Sequence, residues 1–135
     1  MTNAVFVYGT LKRGQEREGC WPRAPRAVLR AKTRGRLHDL GPYPALIPGD
    51  DWVAGEVWQL APEDVAETLR VLDEVECFGV DDVDLYVRRE VECWTAADGQ
   101  PLRAFVYFLA DETEARRSPR VPLNAEGLAE WFPRG

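Results

Sequence analysis

From residue 62 the chain reads PEDVAETLRVLDEVE, and its apolar positions recur with the spacing of a helix. At about 100° per residue, Val65, Leu69 and Leu72 share a narrow arc, which predicts a helix over residues 62–76 with Pro62 in its first turn. Glu67, Arg70 and Glu74 fall on the opposite side and form a solvated face. Glu76 continues the apolar arc, so this carboxylate points inward. Such a group must find hydrogen-bond partners, line a wet pocket or be held neutral by desolvation, and the last two conditions prepare a general acid or base. A structural ion pair with Arg88 or Arg89 downstream would satisfy it equally well.

The remaining pattern is mostly that of strands. Residues 4–7 (AVFV) form a short apolar run that breaks at Tyr8-Gly9 into a loop over residues 10–25, rich in Gly, Pro and charge. Loops of that length in compact domains are often functional. Strands are predicted over 27–32, 34–40 and 53–60, with turns at Gly41-Pro42-Tyr43-Pro44 and at Pro48-Gly49-Asp50-Asp51. After an acidic connector at 78–84, strands over 86–95 and 102–109 flank Asp98-Gly99, a hairpin signal. The second of these is apolar on both faces and is therefore expected to be central. Residues 111–120 read as a charged loop, and Asn124 reads as the cap of a short helix through Leu128 to Trp131. Strands surrounding one substantial helix predict an α+β fold, a small mixed β-barrel or curled sheet with flanking helices.

With 135 residues, 45% of them hydrophobic, the chain suits one domain spanning residues 1–135. Seventeen basic and 23 acidic residues give a net charge of −6, which argues against nucleic-acid or anionic-membrane partners and favours a small molecule. No charged leader and no run of about 18 apolar residues is present, so a cytoplasmic protein is expected. Cys20, Cys77 and Cys93 are odd in number and lack CxxC spacing, which encodes neither a disulfide framework nor a zinc ribbon. One histidine, His38, and one serine, Ser118, leave no material for a Ser-His-Asp triad or a His-rich metal centre. Cys77 as a nucleophile would need His38 as its base, and no pattern places the two together; it reads as a small buried thiol.

Three segments stand in order: VYGTL at 7–11, LDEVE at 72–76 and LYVRR at 85–89. With GPYPAL at 41–46 and GEVW at 55–58 between them, they resemble the gamma-glutamylcyclotransferase-like family, also called avirulence-induced-gene-2-like, over about residues 4–109. The resemblance implies a small mixed barrel and release of 5-oxoproline from a gamma-glutamyl compound, without metal or organic cofactor. The implied partner is a small-molecule gamma-glutamyl substrate, with no nucleic acid or membrane, for a monomer or homodimer. It places the catalytic glutamate at Glu76, a substrate-binding loop at Tyr8, Gly9, Thr10 and Leu11, and further pocket residues at Tyr86 and Arg88. Where the family has glycine after its catalytic acid, this chain has Cys77, which bears on loop geometry and substrate preference. A non-catalytic small-molecule binding domain that keeps the pocket is the alternative.

Overall fold

The computed structural model describes residues 2–76 and 85–133. Cys77 and the connector 78–84 lie outside the described residues. Six strands are present: β1 (Ala4–Val7), β2 (Ala27–Asp39), β3 (Pro44–Gln59), β4 (Tyr86–Thr95), β5 (Pro101–Leu109) and β6 (Leu128–Ala129). They are ordered β1-β5-β4-β2-β3-β6, and β1 also pairs with β3. Because β1 bonds to β5 on one side in parallel and to β3 on the other antiparallel, the first five strands close into a ring. The fold is the α+β mixed barrel that the order of elements predicts, with β6 appended in parallel to β3 at Trp52 and Val53.

Closure explains why β1 and β5 are apolar on both faces. Along β1, Ala4 and Phe6 join Leu37, Leu46, Val57 and Val106 in one core layer, while Val5 and Val7 join Trp58, Leu69 and Leu72 in a second. Along β5, Ala104, Val106 and Phe108 face the first layer, and Tyr107 and Leu109 the second. Successive side chains thus feed opposite cores, as a pleated strand with two covered faces requires. Helix α1 (Val65–Val75) covers the second layer, entered through a 3₁₀ turn at Pro62–Asp64 that leaves the proline's missing N–H harmless. Val65, Leu69 and Leu72 are buried as the periodicity predicts, and Arg70 and Glu74 pair on the solvent side at 3.5 Å.

Several local readings differ from what the strands do. Residues 27–32 and 34–40 belong to one continuous strand, because Thr33 is buried and its hydroxyl donates to the Glu92 carbonyl at 2.8 Å instead of ending the strand. The Pro48–Asp51 turn is a bulge inside β3: the register jumps from Gly35 opposite Asp51 to Arg36 opposite Ile47, leaving residues 48–50 unpaired. Residues 111–120 contain helix α2 (Glu112–Arg116), nucleated where the Asp111 carboxylate accepts from the Glu114 N–H at 3.1 Å. Asn124 caps no helix; its Oδ1 accepts from the N–H groups of Glu126 and Leu128, turning the chain so that Leu128–Ala129 can pair with β3.

Thr68, on the inner side of α1, is fully buried, and its hydroxyl is without a hydrogen-bond partner among the described residues. Replacing it with isosteric valine removes that desolvated donor. Thr68→Val is therefore expected to stabilise the fold by about 1 kcal/mol, read as a rise in the urea midpoint at unchanged m-value.

Candidate active site

The last turn of α1 delivers Glu76 to the mouth of the barrel, its N–H still bonded to the Leu72 carbonyl at 2.9 Å. There it meets the loop leaving β1, Tyr43 and Pro44 at the start of β3, Tyr86 at the start of β4, and Tyr107 of β5. Together they line a cavity of about 130 Å³. Tyr8, Gly9, Thr10, Leu11, Glu76 and Tyr86 are brought to this one space from three separate parts of the sequence.

Arg88 is not among the cavity residues. Its Nη1 donates to both oxygens of Asp73, at 2.9 and 2.8 Å, and Tyr107 donates to the same carboxylate at 2.7 Å. Asp73 precedes Glu76 by one turn, so this cluster pins the end of α1 against β4 and β5. The ion pair that would make Glu76 purely structural does not form: Arg88 is engaged by Asp73, Arg89 lies 5.7 Å from the centre of the Phe108 ring, and among the described residues no cation forms a salt bridge with Glu76.

Burial pushes the Glu76 carboxyl up to about 7, against the opposing attraction of the Arg17 guanidinium. The Tyr8, Tyr86 and Tyr107 phenols are also pushed up by burial, so these three stay protonated at neutral pH. Three of the cavity's phenols spend their protons on fixed acceptors: Tyr8 on the Tyr107 carbonyl at 2.5 Å, Tyr86 on the Pro44 carbonyl at 3.0 Å, Tyr107 on Asp73. Tyr8, Tyr86 and Tyr107 are fixed walls, and among the described residues Glu76 is the cavity group whose carboxyl is brought near neutrality.

Gly9, where the chain leaves β1, is required by packing. Its φ is not positive, but a Cβ there would stand 2.6 Å from Cγ of Pro44, so the glycine clears room for the proline ring. The loop beyond it is braced from behind. Glu56 accepts from the Arg13 N–H at 2.8 Å and from the Trp58 indole at 3.2 Å, and Trp58 stacks on Trp21 with centroids 4.1 Å apart. Trp21 in turn donates to the Leu11 carbonyl at 3.0 Å. Buried Lys12 donates to the Trp131 carbonyl at 3.0 Å, tying the loop to the segment after β6. Among the described residues, no acceptor takes the backbone N–H of Gly9, Thr10 or Leu11. Three successive donors left without an acceptor among the described residues, on a loop that lines the cavity, have the chemistry that suits an anion.

Sequence reasoning missed Arg17, Tyr43 and Tyr107 as cavity residues and Asp73 as the clamp. Tyr107 was accessible in principle, since it shares the helix-facing side of β5 with Leu109. Arg17 was one charge among several in a long loop. His38, the only histidine, sits elsewhere: it is 1% exposed, receives a bond from Arg36 at 2.9 Å and bonds the Ser118 carbonyl at 2.9 Å, a structural pairing. Among the described residues no group of three or more potential ligands could hold a metal, and no helix is long and apolar enough to cross a membrane.

A family model described as "Gamma-glutamyl cyclotransferase, AIG2-like" matches residues 5–127. Bovine gamma-glutamylaminecyclotransferase is 35% identical over 124 residues, covering 78% of this chain and 65% of that protein. The chain thus spans just under two thirds of the bovine relative. The gamma-L-glutamyl-butirosin B gamma-glutamyl cyclotransferase of Niallia circulans is 32% identical over 117 residues, covering 84% of this chain and 72% of its own length. In fold, the crystal structure of YkqA from Bacillus subtilis superposes with a TM-score of 0.59 at 22% identity, over 82% of this chain and 36% of that one.

Two measurements check this geometry. Between about 4.5, where an ordinary glutamate titrates, and about 7, the native protein holds a proton on Glu76 that the unfolded chain has released. The unfolded state then binds fewer protons, so stability falls as pH rises through that window. Glu76→Gln cannot ionise and is expected to exceed the parent by about 1–3 kcal/mol at pH 8 and to match it at pH 4; equal denaturant midpoints at pH 8 would mean a solvated carboxylate. Asp73→Ala removes the acceptor for both Arg88 and Tyr107 and is expected to cost about 2 kcal/mol, measured by thermal unfolding.

Proposed function

The chain belongs to the gamma-glutamyl cyclotransferase, AIG2-like family, and we propose that it releases 5-oxoproline and a free amine from a gamma-glutamyl amine, peptide or amide. The observation that carries this reading is a desolvated carboxyl near neutrality, Glu76, sharing a cavity with Gly9, Thr10 and Leu11, whose N–H donors find no acceptor among the described residues.

The substrate brings both reactants. Its α-amino nitrogen attacks its own γ-carbonyl carbon, forming the ring C–N bond, and the original amide C–N bond then breaks. Orienting such an intramolecular reaction is worth a large effective molarity, so the protein's first task is to hold a curled conformer. The rigid tyrosine walls are suited to that task. Free α-amines titrate near pH 8, so the ammonium form first gives its extra proton to water, and the nitrogen of the resulting neutral amine must lose one further proton as the ring closes. Glu76 takes it and returns it to the departing nitrogen, leaving the carboxylate as it began. A group poised about 7 can do both steps at physiological pH. Negative charge on the former carbonyl oxygen, or on the substrate's α-carboxylate, falls to the loop N–H groups, fixed donors that need no reorganisation.

The side chains supply every proton the cycle needs, and the reading includes no metal or organic cofactor. Purified protein incubated with gamma-glutamyl compounds is expected to yield 5-oxoproline by mass spectrometry, undiminished by chelator. Glu76→Gln should lower turnover by about 10²–10⁴-fold, the usual weight of a general acid–base group. A folded Glu76→Gln variant with parental turnover would remove Glu76 from the chemistry. Ligand binding by the parent without 5-oxoproline would favour a non-catalytic binding domain.

A further inference from the structure

Among the described residues, the cavity holds one charged group that the proton transfers do not use. Arg17 lines it, with its backbone fixed by a bond from its N–H to the Thr10 carbonyl at 2.8 Å. Arg23, Arg30, Arg70, Arg88, Arg103, Arg116 and Arg120 each pair with an acid. Arg17 forms no ion pair among the described residues, and its neighbour Glu18 is turned back to accept from the Gly14 N–H at 2.7 Å. A half-buried guanidinium that lines a cavity, feels Glu76 only beyond salt-bridge distance and forms no ion pair among the described residues is suited to receive an anion.

Depth decides which anion. Thr10, Leu11, Tyr86 and Tyr107 are buried and form the floor, whereas Arg17 and Tyr43 are half-buried and Leu85 is exposed, forming the rim. The substrate's α-carboxylate is attached to the carbon that carries the attacking amine, so it must lie near the reacting atoms, within reach of the loop N–H groups. The substituent on the departing amine is the part that extends towards the rim.

We infer that Arg17 is a specificity-determining residue that selects gamma-glutamyl compounds whose leaving amine carries a carboxylate, an amino acid or short peptide, over those whose leaving amine carries a second cation. The inference rests on the cyclotransferase reading above. The guanidinium attracts the first class across a short, partly desolvated distance and repels the second.

The test compares three substrates of similar size: gamma-glutamylalanine (anionic leaving group), gamma-glutamylethylamide (neutral) and gamma-glutamylputrescine (cationic). Turnover is measured with the parent, Arg17→Gln and Arg17→Glu, and binding of the same compounds with Glu76→Gln and with Glu76→Gln carrying Arg17→Gln. The parent is expected to prefer gamma-glutamylalanine over gamma-glutamylputrescine by roughly tenfold in kcat/KM, mostly through KM. Arg17→Gln should flatten that preference, and Arg17→Glu should reverse it. An equal loss on all three substrates would assign Arg17 to the shared α-carboxylate, and an equal shift of the pH profile without a change in preference would assign it to Glu76; either overturns the inference while leaving the cyclotransferase reading intact. If no compound is turned over, the cyclotransferase reading falls alone, and the binding comparison still decides Arg17: a charge preference lost in the double variant supports it, and none overturns it.

Discussion

A strand of four residues closes the barrel, and most of the molecule is arranged around that closure. β1 is bonded along both edges, to β3 and to β5, and covered on both faces by separate core layers. A segment so enclosed must be short and wholly apolar, and it cannot drift in register without moving side chains between the two layers. Where it emerges, the chain has to leave the ladder, and the N–H groups of Gly9, Thr10 and Leu11 emerge with it, without an acceptor among the described residues. This corner is thus a by-product of the closure, braced by the Trp21–Trp58 stack and Glu56 behind it.

Opposite this corner the protein holds a carboxyl that would be more stable in water. Its neighbours do little to relieve that desolvation. Arg88, the nearest candidate in sequence, is diverted to Asp73, where it strengthens the last turn of α1 instead of neutralising the acid at its end. Arg17 acts only partially, from the rim. The clamp and the unrelieved acid are complementary: a destabilised group keeps its position only if the element carrying it is anchored by something else.

Much of this was legible in the residues. The inward aim of Glu76 follows from Val65, Leu69 and Leu72; the central place of β5 follows from its two apolar faces; and the β4–β5 hairpin follows from Asp98-Gly99, where the glycine adopts φ 67°. The unread parts share a cause. Asn124 makes the same kind of side-chain-to-backbone bonds in a turn as in a helix cap, and only pairing with Trp52 and Val53 of β3 decides for a strand. Pro48-Gly49-Asp50 has turn chemistry whether the chain reverses or bulges. Arg88 and Asp73 meet across two elements fifteen positions apart, a contact that no local periodicity encodes. The direction in which Arg17 faces depends on how the long loop folds back on Thr10.

Pro44 serves two walls at once, its ring filling the space a Gly9 side chain would need and its carbonyl holding the Tyr86 phenol. Selection therefore cannot adjust either position freely. Any bulkier residue at 9 is intolerable while a proline ring stands opposite, whereas loss of that ring would release the constraint. Across descendants of this chain the pair should covary as a unit, a historical signature of steric interlock that does not depend on which amine leaves the site.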